Sequence, residues 1–259
     1  FIFLVEEEGL TDLSDLDGLF DEVAGVIFQN PNHYGNIENL NGISKLTNKH
    51  NALFIINQDP QSLALYQTPG MLGADIAVGD LQSLGMPLSF GGAYAGYLAT
   101  TKKLMRKMPG RICGVTNDLD GKRAFVLTLQ AREQHIRRAK ANSNICSNQS
   151  LMALSAAIYL STLGPSGFKD VAKLSLNGAH YLKNELLKTN LFTEPFNKHH
   201  FKEFTLKFNG DVERLDNYLL KNNYLGPIHL GNNLLTFAVT EKRTKAEIDE
   251  FVKVVGAFK

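Results

Sequence analysis

The chain has 259 residues, 44% of them hydrophobic and 20% charged, and a net charge of +1. That is ordinary globular composition rather than disorder. It is long enough for one large domain or two smaller ones, and nothing global argues for nucleic acid or for a membrane surface.

Phe1-Ile2-Phe3-Leu4-Val5 reads as a strand. A start inside an apolar run suggests a longer parent chain or a processed terminus. Thr11 is expected to cap a short helix with Leu13, Leu16, Leu19 and Phe20 on one face. Val23 to Phe28 is a continuous apolar run, as expected of a strand covered on both faces. It ends at the turn Asn30-Pro31-Asn32-His33-Tyr34-Gly35. Residues 39–50 read as a helix, and 52–56 as the next buried strand, stopping at Asp59-Pro60. Residues 74–78 form another strand, and 96–100 a further one expected to run antiparallel, because no crossover helix precedes it. Strands alternating with helices imply a mostly parallel sheet between helical layers. No apolar run reaches the ~20 residues that a spanning helix needs.

Beyond residue 100, Asp120-Gly121 marks a hairpin turn. A helix is expected from Ser147 or Asn148, with Leu151, Leu154 and Ile158 as its stripe and Gly164-Pro165 as its stop. A second helix covers about 168–188. After Thr189 the pattern becomes strand 201–208, helix 211–222, strand 234–239 and a last helix 244–256, opened by the capping box Thr244–Glu247. The expected division is therefore residues 1–188 as a large α/β domain and 189–259 as a small α+β domain.

Four constellations bear on chemistry. The Asn30–Gly35 turn follows a strand, where open α/β sheets place ligand crevices; Asn, Pro and Gly also form plain turns for backbone reasons. Asp59 follows the next strand, where a carboxylate can pair with a pyridinium nitrogen; with no lysine partner in view, a turn residue before Pro60 is the commoner reading. The glycines at 79, 85, 91, 92 and 96 allow close backbone approach, but they form neither GxGxxG nor a P-loop. Arg132, Arg137, Arg138 and Lys140 face the single carboxylate Glu133 in a basic run that suits a phosphate, a carboxylate or a solvated helix. No GxSxG or HExxH motif is present, and His199-His200 reads as a surface pair rather than a metal site. Cys113 and Cys146 stand far apart outside any CxxC pattern, which suits reduced thiols in a cytosolic protein.

Longer strings carry more. Gly91-Gly92-Ala93-Tyr94-Ala95-Gly96-Tyr97, Met108-Pro109-Gly110-Arg111, the run from Gly121 to Arg138, and Ser143-Asn144-Ile145-Cys146-Ser147-Asn148-Gln149 together resemble the subunit 1 family of bacterial glycine dehydrogenase (decarboxylating), the alpha half of the split P-protein of the glycine cleavage system. The likeness is dense from about residue 10 to 190 and looser beyond. Ala93 stands where the family usually has proline, and Leu81-Gln82-Ser83 where it more often has Gly-Gln-Pro.

The resemblance implies the fold type I architecture of pyridoxal-phosphate-dependent transferases, lacking some N-terminal strands. Ser83 would occupy the place of the cofactor lysine, and a serine hydroxyl forms no imine. The resemblance thus implies no catalytic residue and no metal on this chain, with pyridoxal 5'-phosphate held by a partner, subunit 2. The αβ unit would pair again into a heterotetramer and act with lipoylated H-protein in the bacterial cytoplasm, without nucleic acid or membrane. Asn30, Asn32, His33, Arg137 and Arg138 are the residues expected nearest the partner or the shared cleft. The alternatives are a scaffold that kept the fold and lost the activity, and an independent transferase with another nucleophile, for which Ser83 has no evident base.

Overall fold

The computed structural model describes residues 1–130, 133–141 and 149–259. Arg132, Cys146, Ser147 and Asn148 fall outside them. Residues 1–5 are not a strand. The chain opens instead with a small antiparallel ribbon, β1 (Glu6–Glu7) and β2 (Leu10–Thr11). Thr11 caps no helix, because its backbone N–H and its hydroxyl both donate to the Glu38 carboxylate. Helix α1 is confined to Leu16–Leu19.

The main sheet follows: β3 (Gly25–Asn30), then α2 (Ile43–Lys49), β4 (Leu53–Gln58), β5 (Ile76–Asp80) and β6 (Gly96–Thr100). Its strand order is β3-β4-β5-β6, with β3, β4 and β5 parallel and β6 antiparallel, as the missing crossover predicted. Leu16, Phe20, Phe28, Leu40, Ile43, Phe54 and Ile56 form the core against one face. The other face is open at β3, where Ile27 is 66% exposed, so the apolar run is not covered on both sides.

The hairpin β7 (Ile112–Asn117) and β8 (Arg123–Leu129) turns at Asp120-Gly121 as expected and leads into α3 (Gln134–Arg137). Helix α4 (Ser150–Lys188) combines the two expected helices, and Gly164 breaks it with non-helical φ 62° and ψ −178°. By length and composition α4 could cross a membrane. Its later turns bury Ala172, Ala179, Leu182 and Leu186 in the fold, while its most apolar stretch is 6% buried. The stripe Leu151, Leu154, Ile158 is exposed, and a different face packs: Ala156, flanked by Met152 and Tyr159, meets Leu84 and Met86 of the glycine-rich loop.

The C-terminal part holds β9 (Phe192–Thr193), β10 (Glu203–Phe208), α5 (Val212–Lys221), β11 (Ile228–Gly231), β12 (Leu234–Ala238) and α6 (Lys245–Gly256). Its antiparallel sheet runs β11-β12-β10-β9. Phe192, Phe204, Leu206, Phe208, Leu215 and Phe237 form a second core with the end of α4. The Thr244–Glu247 capping box is present on α6.

The segment leading into β10 stitches the two parts together. The Ile37 N–H donates to the His199 carbonyl at 2.8 Å, the Tyr66 hydroxyl to the His200 carbonyl at 3.1 Å, and the Thr205 hydroxyl to the Tyr34 carbonyl at 2.9 Å.

Candidate functional site

Parallel register brings the carboxyl ends of β3, β4 and β5 to one side: Asn30 pairs with Gln58, and Asn57 with Val78. Residues at and just past these ends, together with Phe201, Lys202 and Glu203 before and at the start of β10, line a cavity of about 300 Å³. Gly79 belongs there for steric reasons, since a Cβ would stand 2.4 Å from the Gln58 carbonyl oxygen and 2.5 Å from the Tyr97 ring.

Asp59 is the hub. Its Oδ1 accepts the Ser83 hydroxyl at 3.0 Å and the Gln61 N–H at 2.9 Å, while Oδ2 meets the Lys202 Nζ at 2.5 Å. Both charged side chains are shielded, 15% exposed at Lys202 and 18% at Asp59. The lysine absent from the sequence around Asp59 therefore arrives from the far part of the chain, and Asp59 is more than a turn residue. Asp80 and Glu203 add two further carboxylates to the lining. The negative field shows in its neighbours. Burial, then Asp59 and Asp80, push the Tyr97 hydroxyl up to about 12, while that hydroxyl donates to the Gln58 carbonyl at 2.7 Å. Desolvation against the cavity wall raises the Glu203 carboxyl, Asp59 and Asp80 reinforcing this and Lys202 opposing it, although Glu203 keeps an exposed face at the rim.

The residues expected at a cleft separate into groups. Asn30 is buried and its Oδ1 accepts the Glu38 N–H at 3.1 Å. Asn32 is also engaged internally: Nδ2 donates to the Gly9 carbonyl and to Glu38, and Oδ1 accepts from the N–H groups of Tyr34 and Asn36. Both asparagines shape the turn. His33 is exposed and lies edge-on to Tyr34. With Asn32 it lines a second, more apolar cavity of about 790 Å³ that shares Gln29 and Glu203 with the first. Arg137 and Arg138 are exposed and line neither cavity. His200 is buried, not a surface residue, and its ring stacks on His180 at 4.1 Å. Among the described residues no cluster of His, Cys, Asp or Glu suits a metal ion. Lys202, Glu203 and Tyr97 went unread in the sequence, because only the fold brings them to Asp59.

These residues do not fit pyridoxal phosphate on this chain. Ser83 offers no amine, Asp59 has its oxygens engaged, and among the described residues the charged lining is three carboxylates against one ammonium.

The sequence matches the family described as glycine cleavage system P-protein over residues 3–255. It is 49% identical over 255 residues to a probable glycine dehydrogenase (decarboxylating) subunit 1 of Brevibacillus brevis, covering 95% of this chain and 56% of that protein. The like-named protein of Staphylococcus haemolyticus is 49% identical over 254 residues, with 95% and 56% covered. A crystal structure of glycine decarboxylase (P-protein) of the glycine cleavage system, in inhibitor-bound form, superposes with TM-score 0.90 at 41% identity, covering 98% of this chain and 58% of that one. Alanine–glyoxylate aminotransferase from Nostoc sp. shares the fold alone, at TM-score 0.65 and 14% identity over 96% of this chain and 66% of its own. The architecture is thus that of pyridoxal-phosphate-dependent transferases. The chain spans a little over half the length of the curated relatives it matches. It belongs to the glycine cleavage system P-protein family.

Proposed function

We propose that this chain is part of the cofactor-free subunit of glycine decarboxylase in the glycine cleavage system. The observation that carries this reading is the 49% identity to proteins named glycine dehydrogenase (decarboxylating) subunit 1. A companion, subunit 2, holds pyridoxal phosphate. Glycine loses its carboxyl group as carbon dioxide at the companion's site, and its aminomethyl group passes to the lipoyl group of H-protein. This chain supplies a wall of the shared cleft and part of the subunit interface, and Ser83 takes the place of the cofactor lysine.

His33 and the Arg137-Arg138 pair are exposed, which leaves them free to face the companion, while Asn30 and Asn32 hold the turn that presents His33. The division at about residue 188 belongs to the same reading. Separate hydrophobic cores support it, although Ala179, Leu182 and Leu186 of α4 pack with the C-terminal one. Bacterial relatives support a bacterial cytoplasmic setting.

The test is exchange of labelled bicarbonate into glycine by subunit 2 and lipoylated H-protein, with and without the full-length form of this chain. Exchange is expected only when the full-length form is added; equal exchange without it overturns the proposal and leaves a scaffold. Arg137→Ala is expected to weaken assembly or turnover, and a variant normal in both removes Arg137 from the interface.

A further inference from the structure

We infer that Lys202 closes this chain's own strand-end cavity to the coenzyme, so that exclusion rests on a built-in cation as well as on the missing amine at Ser83. The inference deepens the reading above, that the companion subunit holds the coenzyme, and rests on it.

A carboxylate past the end of a strand holds a pyridine ring by accepting its N–H and favouring the protonated ring. Asp59 stands in such a place after β4, yet Ser83 and Gln61 occupy Oδ1 and the Lys202 ammonium occupies Oδ2. A ring nitrogen would have to displace a charge from a shielded partner, where opposite charges attract more strongly than at the surface. Among the described residues the remaining charged groups of the cavity, Asp80 and Glu203, oppose a phosphate ester.

Lys202 is also anchored. Its carbonyl accepts the Val239 N–H at 2.9 Å, Phe201 before it is fully buried, and Glu203 after it pairs with Ala238 across β10 and β12. The ammonium is therefore delivered by fixed backbone rather than by a free surface side chain. Ser83 alone does not account for exclusion, because the amine form of the coenzyme, pyridoxamine 5'-phosphate, needs no lysine to bind.

That compound is the probe. The full-length form of this chain, without its companion, is titrated with it and followed by coenzyme fluorescence and calorimetry. Wild type and Lys202→Arg, which keeps the cation, are expected to show no saturable binding. Lys202→Ala is expected to bind at least tenfold more tightly than wild type, and Asp59→Asn added to it to lose that gain. Lys202→Met serves as a second opened variant if the alanine change unfolds the chain. The inference is overturned if wild type binds as tightly as Lys202→Ala, or if neither opened variant, folded by circular dichroism, gains affinity. Failure of the underlying reading looks different: borohydride would then fix pyridoxal phosphate to a lysine of this chain in the assembled two-subunit protein.

Discussion

A histidine beside another histidine and a lysine looks like a surface residue, and His200 is not one. It is 3% exposed, its Nε2 has no hydrogen-bond partner among the described residues, and its ring lies against His180. Burial, then the nearby His180 and Lys183, pull it down to about 3. An unfolded histidine titrates near 6.5. Between those values the unfolded chain binds the extra proton, so stability falls as pH drops through the window from about 6.5 to 3. At pH 4.5 the loss from this one ring is roughly 3 kcal/mol, at about 1.4 kcal/mol per pH unit over the two units below 6.5. Denaturant unfolding of wild type and His200→Gln across pH 4.5–7 checks it: the variant should show a flatter pH dependence, and equal slopes would assign the effect elsewhere. At this scale the strand-end position of Asp59 was legible in the sequence. The burial of His200 and the ammonium on Asp59 were not, because each depends on groups far away along the chain.

Most elements were legible, since period and turn chemistry are local properties. The antiparallel β6, the Asp120-Gly121 hairpin and the Thr244–Glu247 cap all stand where their signals lie. Errors came where a tertiary partner outbid a local one, as when Glu38 took the Thr11 side chain from the expected cap. The leucine stripe of α4 has the right period but meets no core, and periodicity does not report what a face packs against. Gly164 shows a local signal that held inside a longer element: Gly-Pro interrupts α4 without ending it. Its φ and ψ belong to a region open essentially to glycine alone. An added Cβ there meets no atom of the described residues within 4 Å, so the cost of substitution is backbone strain. Gly164→Ala should lower stability by about 1–3 kcal/mol. A thermal melt unchanged by the substitution would show that the break can be straightened at no cost.

At the scale of the molecule, the Asp59–Lys202 pair joins the C-terminal part to the end of the main sheet. Removing one member strands a shielded charge, whereas removing both does not. Lys202→Ala should therefore cost about 3 kcal/mol, in the range measured for breaking buried pairs. Asp59→Asn/Lys202→Met should cost clearly less than the two single changes summed, as read from denaturant midpoints. Additive costs would mean that the pair does not couple the two parts. The sequence by itself determined the class of fold, the order of its strands and helices, and the absence of an amine at position 83, because side-chain period, turn residues and residue identity are written along the chain. Only the tertiary structure decided that Lys202 sits on Asp59, that His200 is buried, and that one face of β3 and the leucine stripe of α4 stand open, because pairing and burial depend on which distant segments meet.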